Sequence, residues 1–131
     1  MRQIYDKGLP IVVAALGLYL TMLHYTGVPV ACPPIPSTGG LVNCQAVLTS
    51  SGSVMLGVPL ALWGSLWAFA SLWRRGRKIW TVFGVLGLVW AWVHEWQVGH
   101  LCLWCTAMQI GILLILANFW RPRRGAPPCI R

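Results

Sequence analysis

Charge is scarce in this chain. Only 9% of its 131 residues are charged, and only two, Asp6 and Glu95, are acidic. A soluble domain carries about 25% charged residues, so this composition excludes an ordinary water-facing surface. With 57% hydrophobic residues, nine Trp and a mean hydropathy of +0.68, the chain reads instead as a membrane protein. The net charge of +8 does not point to nucleic acid. Basic residues are missing from the long apolar runs and form no binding groove. All ten fall into three clusters: Arg2 and Lys7; Arg74, Arg75, Arg77 and Lys78; Arg121, Arg123, Arg124 and Arg131. Clusters that flank apolar runs follow the positive-inside rule. Two further features are lacking, an internal repeat and a cleavable signal peptide. The first apolar run is long, and no small-residue cleavage site follows a short core.

What is present is four apolar runs, at residues 9–28, 56–73, 79–96 and 101–120. The last, LCLWCTAMQIGILLILANFW, has 20 residues and no charge, the length that crosses a hydrocarbon core of about 30 Å. Pro10 and Pro59 each fall in the first turn of a run, where a missing N–H costs little. Residues 29–55 are uncharged and rich in Pro, Gly, Ser and Thr, which reads as a loop. The basic stretch 74–78 is a tight connection, 97–100 another, and 121–131 an irregular tail. The expectation is an all-α integral membrane protein of one domain, residues 1–131. It is a bundle of four transmembrane helices with a long extracytoplasmic loop between helices 1 and 2. The basic clusters lie at alternate ends of the runs and therefore on one side, the cytoplasm, with both termini inside. The loop and the 97–100 connection then share the outer side.

Cys32, Cys44, Cys102 and Cys105 thereby fall on the side where disulfides persist, while Cys129 lies in the tail. Cys102 and Cys105 form a C-x-x-C pair at the start of the fourth run, and thiols three apart on a helix lie on nearly one face. Cys102 sits at the helix N-terminus, where free N–H groups and the helix dipole favour a thiolate, the species that attacks in thiol–disulfide exchange. Cys105, one turn deeper, is placed to meet a membrane-soluble partner. The loop is long enough to carry Cys44 or Cys32 to Cys102. Structural disulfides are the competing reading. A four-cysteine zinc site is the weaker one, because such sites use two short-spaced pairs and only 102/105 is short; no metal is expected.

The segment CQAVLTSSGSVMLGVPL, from Cys44 to Leu60, resembles the loop-to-second-helix signature of the vitamin K epoxide reductase family. There a cysteine is followed by a Ser-bearing stretch and a Gly-x-Pro-Leu entry to the helix. Cys102-Leu-Trp-Cys105 resembles that family's active-site C-x-x-C, and the likeness runs from the Cys32 loop through the fourth run, as in short bacterial members without a fused thioredoxin-like domain. The resemblance implies a quinone-linked thiol oxidoreductase. Cys105 would face the quinone, of menaquinone, ubiquinone or vitamin K type, and Cys102 would pair transiently with Cys44. Cys32 would be the outer shuttle. Ser50 matches the Ser or Thr after the loop cysteine. Ser53 and Gln109 fall where other members place an Asn and a Tyr that hydrogen-bond the quinone; both depart from the pattern but can still donate. The 32-to-44 spacing is longer than typical of the family.

Among the remaining residues, Gln109 shares a face with Cys105, and a buried amide needs a partner. A quinone carbonyl and a neighbouring helix are equal candidates. Trp104, inside the C-x-x-C, could wall the quinone pocket, whereas most other Trp fall near run ends as an aromatic belt. His94 and Glu95 read as an exposed interfacial pair near the outer end of the third run, although a part in proton handling is conceivable; His24 and His100 also read as interfacial. The functional expectation is a multi-pass protein of the cytoplasmic (inner) membrane. It passes electrons from a reduced periplasmic thioredoxin-fold (DsbA-like) partner through Cys32/Cys44 and Cys102/Cys105 to a quinone. The alternatives are reduction of vitamin K epoxide or quinone driven by an external thiol reductant, and a non-catalytic membrane protein with structural disulfides.

Overall fold

The computed structural model describes residues 2–33, 39–73 and 76–121. Arg74, Arg75, Arg123, Arg124, Arg131, Cys129, tail residues 122–131 and loop residues 34–38 lie outside the described residues. In chain order the elements are α1 (Arg2–Thr26), α2 (Cys44–Leu48), β1 (Val54–Met55), β2 (Val58–Pro59), α3 (Leu60–Ala70), α4 (Arg77–Val98) and α5 (Leu103–Trp120). A 3-10 turn at Ser51–Ser53 joins α2 to β1, and another at Ser71–Trp73 extends α3.

The apolar runs become helices because nothing inside them offers the backbone an alternative partner, but their limits shift. α1 begins at Arg2, seven residues before the expected run, so Pro10 lies inside the helix and not in its first turn. The cost of its missing N–H is met by a long helix that buries Val13, Ala14 and Leu20. The helix of the run at 56–73, by contrast, starts late. Residues 54–59 form a two-stranded hairpin pairing Val54 with Pro59 and Met55 with Val58. Its turn residues Leu56 and Gly57 both have positive φ, 56° and 77°, as a tight hairpin of right-twisted strands demands. α3 begins directly after it, with Pro59 as its N-cap. α4 extends the third run by two residues at each end. α5 begins at Leu103, two residues inside the fourth run, so Cys102 stands ahead of the helix as its N-cap.

α1 packs most extensively on α3 and also on α5, while α4 covers α5 and α3. The core comes from all four: Val13 and Leu20, Trp67 and Ala68, Leu88, and Met108, Ile115, Leu116 and Phe119. The α1–α3–α5 crossing is close. A Cβ at Gly17 would lie 2.6 Å from Met108 Cε and 2.7 Å from the Ala61 carbonyl, so only a hydrogen fits there. Ser65 Oγ adds a bond to the Ala14 carbonyl (3.0 Å), and Trp67 Nε1 one to the Trp80 carbonyl (2.8 Å). At the end bearing the α1 N-terminus, Asn118 Nδ2 donates to Asp6 (2.6 Å) and Arg77 to the Phe119 carbonyl (3.0 Å).

The outward faces stay apolar; Val82, Phe83, Leu86, Val89 and Val93 of α4 are all exposed. A bundle apolar both inside and outside is suited to lipid. Among the described residues, three helical segments, Tyr5–Thr26, Arg77–Val98 and Leu103–Trp120, are long and apolar enough to cross a membrane. The segment Leu60–Trp73 is apolar but shorter, about 21 Å at 1.5 Å per residue.

Candidate functional site

Among the described residues, Cys32, Cys44, Cys102 and Cys105 gather at the end of the bundle where α1 and α4 finish and α5 begins. Cys32 and Cys44 form a disulfide, with Cα atoms 6.0 Å apart, whereas Cys102 and Cys105 carry free thiols. Cys44 opens α2, whose N-cap Asn43 accepts a hydrogen bond from the Ala46 N–H (3.0 Å). Such a cap stabilises a one-turn helix by about 1 kcal/mol and fixes where its first residue sits.

A short parallel bridge joins this segment to the C-x-x-C. Val42 pairs with Leu101; the Leu101 N–H donates to the Leu41 carbonyl (2.8 Å) and the Asn43 N–H to the Leu101 carbonyl (3.0 Å). Cys44 lies two residues beyond the bridge on one strand and Cys102 one residue beyond it on the other. Both are sealed from solvent, at 1% and 0% exposure, in one apolar cluster that Cys32 and Cys105 also touch. The loop pair and the C-x-x-C are thus brought together.

At the α5 N-terminus the Cys105 N–H donates to Cys102 Sγ (3.2 Å). The neighbouring Cys105 thiol, with the backbone N–H groups of Cys105 and Trp104, holds the Cys102 thiol below its ordinary value of 9.0. Burial and the charge of Glu95 push the other way. Thiolate character at Cys102 is what nucleophilic exchange requires.

Trp104 is half-exposed. Its Nε1 donates to the Ala31 carbonyl (3.0 Å), one residue before Cys32, and its ring meets Tyr19 edge-on at 6.4 Å. It therefore straps the loop cysteine to the first turn of α5. Ser53 caps the end of α2, its Oγ lying 2.8 Å from the Leu48 carbonyl and 2.7 Å from that of Ser50. His24 reaches the same Leu48 carbonyl from α1 (2.9 Å), so it is a loop anchor as well as an end-of-helix residue.

His94 and Glu95 differ most from expectation. They are buried, at 9% and 7% exposure, and not an exposed interfacial pair. The reason is that each has a partner from a distant part of the chain. Ser50 Oγ donates to the Val47 carbonyl (2.5 Å), which uses its single proton, so His94 Nε2–H donates to Ser50 (2.6 Å). Gln109 Nε2 donates to Glu95 Oε1 (3.0 Å), and Gln109 Oε1 accepts from Trp92 Nε1 (2.8 Å). Of the two partners considered for the Gln109 amide, the neighbouring helix is therefore engaged. The signal for Glu95 was available in the sequence, since an ionisable residue within an apolar span is a site candidate by default. The signal for Ser50–His94 was not, because the pair is 44 residues apart.

Comparison with curated proteins and with solved structures gave no match to this chain. The model of the vitamin K epoxide reductase family does match, over residues 8–120, a stretch that runs from within α1 to the end of α5 and contains the disulfide loop and the C-x-x-C just described. The chain belongs to the vitamin K epoxide reductase family.

Proposed function

We propose that the protein is a quinone-linked thiol–disulfide oxidoreductase that reoxidises a thioredoxin-fold partner outside the cytoplasmic membrane. Membership of the family supports a membrane thiol–disulfide/quinone oxidoreductase. The observation that carries the finer reading is the bridge at Val42 and Leu101, which holds a bonded cysteine pair against a free one. In this reading α1, α3, α4 and α5 are four spans, α3 being completed by its hairpin and 3-10 extension. Both termini are cytoplasmic, as the basic clusters require, and the cysteine end faces outward.

The relay starts when the partner's dithiol reduces the Cys32–Cys44 disulfide. The Cys44 thiolate attacks Cys102 Sγ of a Cys102–Cys105 disulfide, forming the Cys44–Cys102 bond and expelling Cys105 as a thiolate that takes up a proton. Cys32 then attacks Cys44 and releases Cys102 as a thiolate. The products are a loop disulfide and a C-x-x-C dithiol, the same pairing found in the structure.

The residues fit a quinone. His100 Nδ1, two residues before Cys102, is the buried side-chain polar atom without a partner among the described residues, and Gln109 keeps a second N–H beyond the one given to Glu95. These two would meet carbonyl oxygens, with Trp104 and Cys105 against the ring. Ser50 and Ser53 would support that wall through α2, since their hydroxyls are already engaged. When bound, a quinone would supply the acceptor for two electrons and two protons: the electrons leave as Cys102 and Cys105 close to a disulfide, one proton comes from the Cys105 thiol, and the other comes from water in place of the proton the Cys102 thiolate has already lost. Cys102, held as a thiolate at the helix N-terminus, and Cys105, one turn deeper, supply those electrons.

The test is turnover of purified protein with a reduced thioredoxin-fold protein and a short-chain quinone, monitored by quinone absorbance. The wild type reduces quinone, and Cys105→Ala abolishes turnover. If the wild type were inert, or if Cys105→Ala lost nothing, the enzyme reading would fail in favour of structural disulfides. Reduction of vitamin K epoxide by the same protein with an external dithiol would favour the reductase direction, which partner potentials decide.

A further inference from the structure

His94 and Glu95 are neighbours in α4, and consecutive helical residues point about 100° apart. Each serves a different element. Residues 90 and 94 form one stripe: Trp90 Nε1 donates to the Gly52 carbonyl (3.5 Å) and His94 Nε2 to Ser50 (2.6 Å), both in the segment just after Cys44. Residues 92 and 95 form the other. Trp92 donates to Gln109 and Glu95 accepts from it, four residues beyond Cys105. Gly52 packs directly against the imidazole, so that a Cβ there would stand 2.8 Å from His94 Cγ and nearer still to Nδ1 and Cε1. Burying an ionisable group without a role is costly, and here two adjacent ones are buried, one bonded to the segment after Cys44 and the other to the C-x-x-C helix.

We propose that His94 and Glu95 are a positioning pair: His94 holds the Cys44 segment through Ser50 while Glu95 holds the C-x-x-C helix through Gln109. Together they keep the loop thiols aligned for attack on Cys102. This rests on the relay reading above. Exchange requires the attacking sulfur nearly in line with the breaking S–S bond, and a misplacement of about 1 Å can cost roughly a hundredfold in rate. The Val42–Leu101 bridge ties the two segments at the backbone, and the α4 pair fixes the orientation of the residues beyond the bridge on each side. Neither residue gains or loses a bond in the exchange. Their effect falls on the encounter between loop and C-x-x-C and not on the reactivity of the C-x-x-C itself.

That separation gives the test. Purified full-length protein is assayed for quinone reduction with two reductants. One is a reduced thioredoxin-fold protein, which must work through the loop. The other is dithiothreitol, which is small enough to reduce the C-x-x-C directly. His94→Ala lowers kcat with the protein reductant at least about tenfold, the scale of one lost buried hydrogen bond, and leaves dithiothreitol-driven turnover within about threefold. His94→Gln, whose amide can still donate to Ser50, restores most of the lost rate and serves as the folded control. In the double variant Ser50→Ala, His94→Ala the further loss with the protein reductant is smaller than the loss from Ser50→Ala alone, because the two changes share the Ser50–His94 bond and only the Ser50 bond to the Val47 carbonyl is lost in addition. Equal losses with the two reductants, or full additivity in the double variant, would overturn the proposal. A wild type inert with either reductant would instead overturn the oxidoreductase reading, a distinguishable result.

Discussion

At the scale of the residue, the difference between the two C-x-x-C thiols comes from where the helix begins. Cys102 is the N-cap and not a helical residue, so its sulfur receives the Cys105 N–H and shares in the positive end of the α5 dipole. Cys105 lies one turn deeper, inside the helix. The Cys102 thiol is therefore the more acidic in the sense that matters for exchange, held below 9.0 chiefly by the Cys105 thiol. A rate measurement checks this. The pH profile of Cys102 alkylation in reduced protein, mapped by mass spectrometry, has its midpoint below 9.0, and Cys105→Ala moves that midpoint upward by removing the largest contribution. The sign is that of a thiolate stabilised in the folded chain: reactivity is retained as pH falls below the ordinary thiol range and is lost only on passing the lowered midpoint. The buried His94 and Glu95 show what residue-level reading missed. A charged pair near a run end looks tolerable wherever water is close, and only the long-range partners Ser50 and Gln109 reveal that both are inside.

At the scale of the element, the apolar runs gave the helices, because uncharged stretches of about 20 residues leave the backbone no partner but itself. Their ends were less legible. α1 continues through Lys7 and Asp6 to Arg2, polar residues a hydropathy argument assigns to a flank. The start of the second run hides a hairpin whose turn carries leucine at a φ of 56°, a conformation suited to Asn or Gly. Leu56 is 86% exposed there, so its side chain contributes little burial in return. Leu56→Asn is accordingly expected to raise stability by about 0.5–1 kcal/mol, the usual scale for relieving left-handed strain. The check is an upward shift of the thermal midpoint in detergent; a downward shift would show that an apolar contact of Leu56 stabilises the bundle by more than the strain costs. The Cys44 loop is helix-breaking in composition, yet it contains a capped turn of helix at Cys44–Leu48. That turn is specified by Asn43 and by contacts to α4 and α5 rather than by any periodicity in its own five residues.

At the scale of the whole molecule, the chain is a mostly helical membrane protein of the vitamin K epoxide reductase family. Its chemistry is concentrated at one end. Four local features place four cysteines there: the Asn43 cap, the Val42–Leu101 bridge, the Trp104 strap to Ala31 and the start of α5 after Cys102. The opposite end is fastened separately, by Asp6–Asn118 and Arg77–Phe119. The cysteine pattern and its likeness to the family were legible in the sequence, since spacing and the Gly-x-Pro-Leu entry are local. The pairing geometry was not, because it is set by a bridge between Val42 of the loop and Leu101 at the start of the fourth run, far apart in the chain. The central claim is that the loop pair and the C-x-x-C exchange through Cys44 and Cys102, and trapping tests it most directly. In Cys105→Ala the Cys102 thiolate can still attack Cys44 of the loop disulfide and expel Cys32, but no Cys105 thiol is left to carry the bond on into the C-x-x-C, so non-reducing mass mapping of the variant isolated from membranes should find a Cys44–Cys102 linkage. Finding Cys44 bonded only to Cys32, with Cys102 a free thiol throughout, would contradict the account.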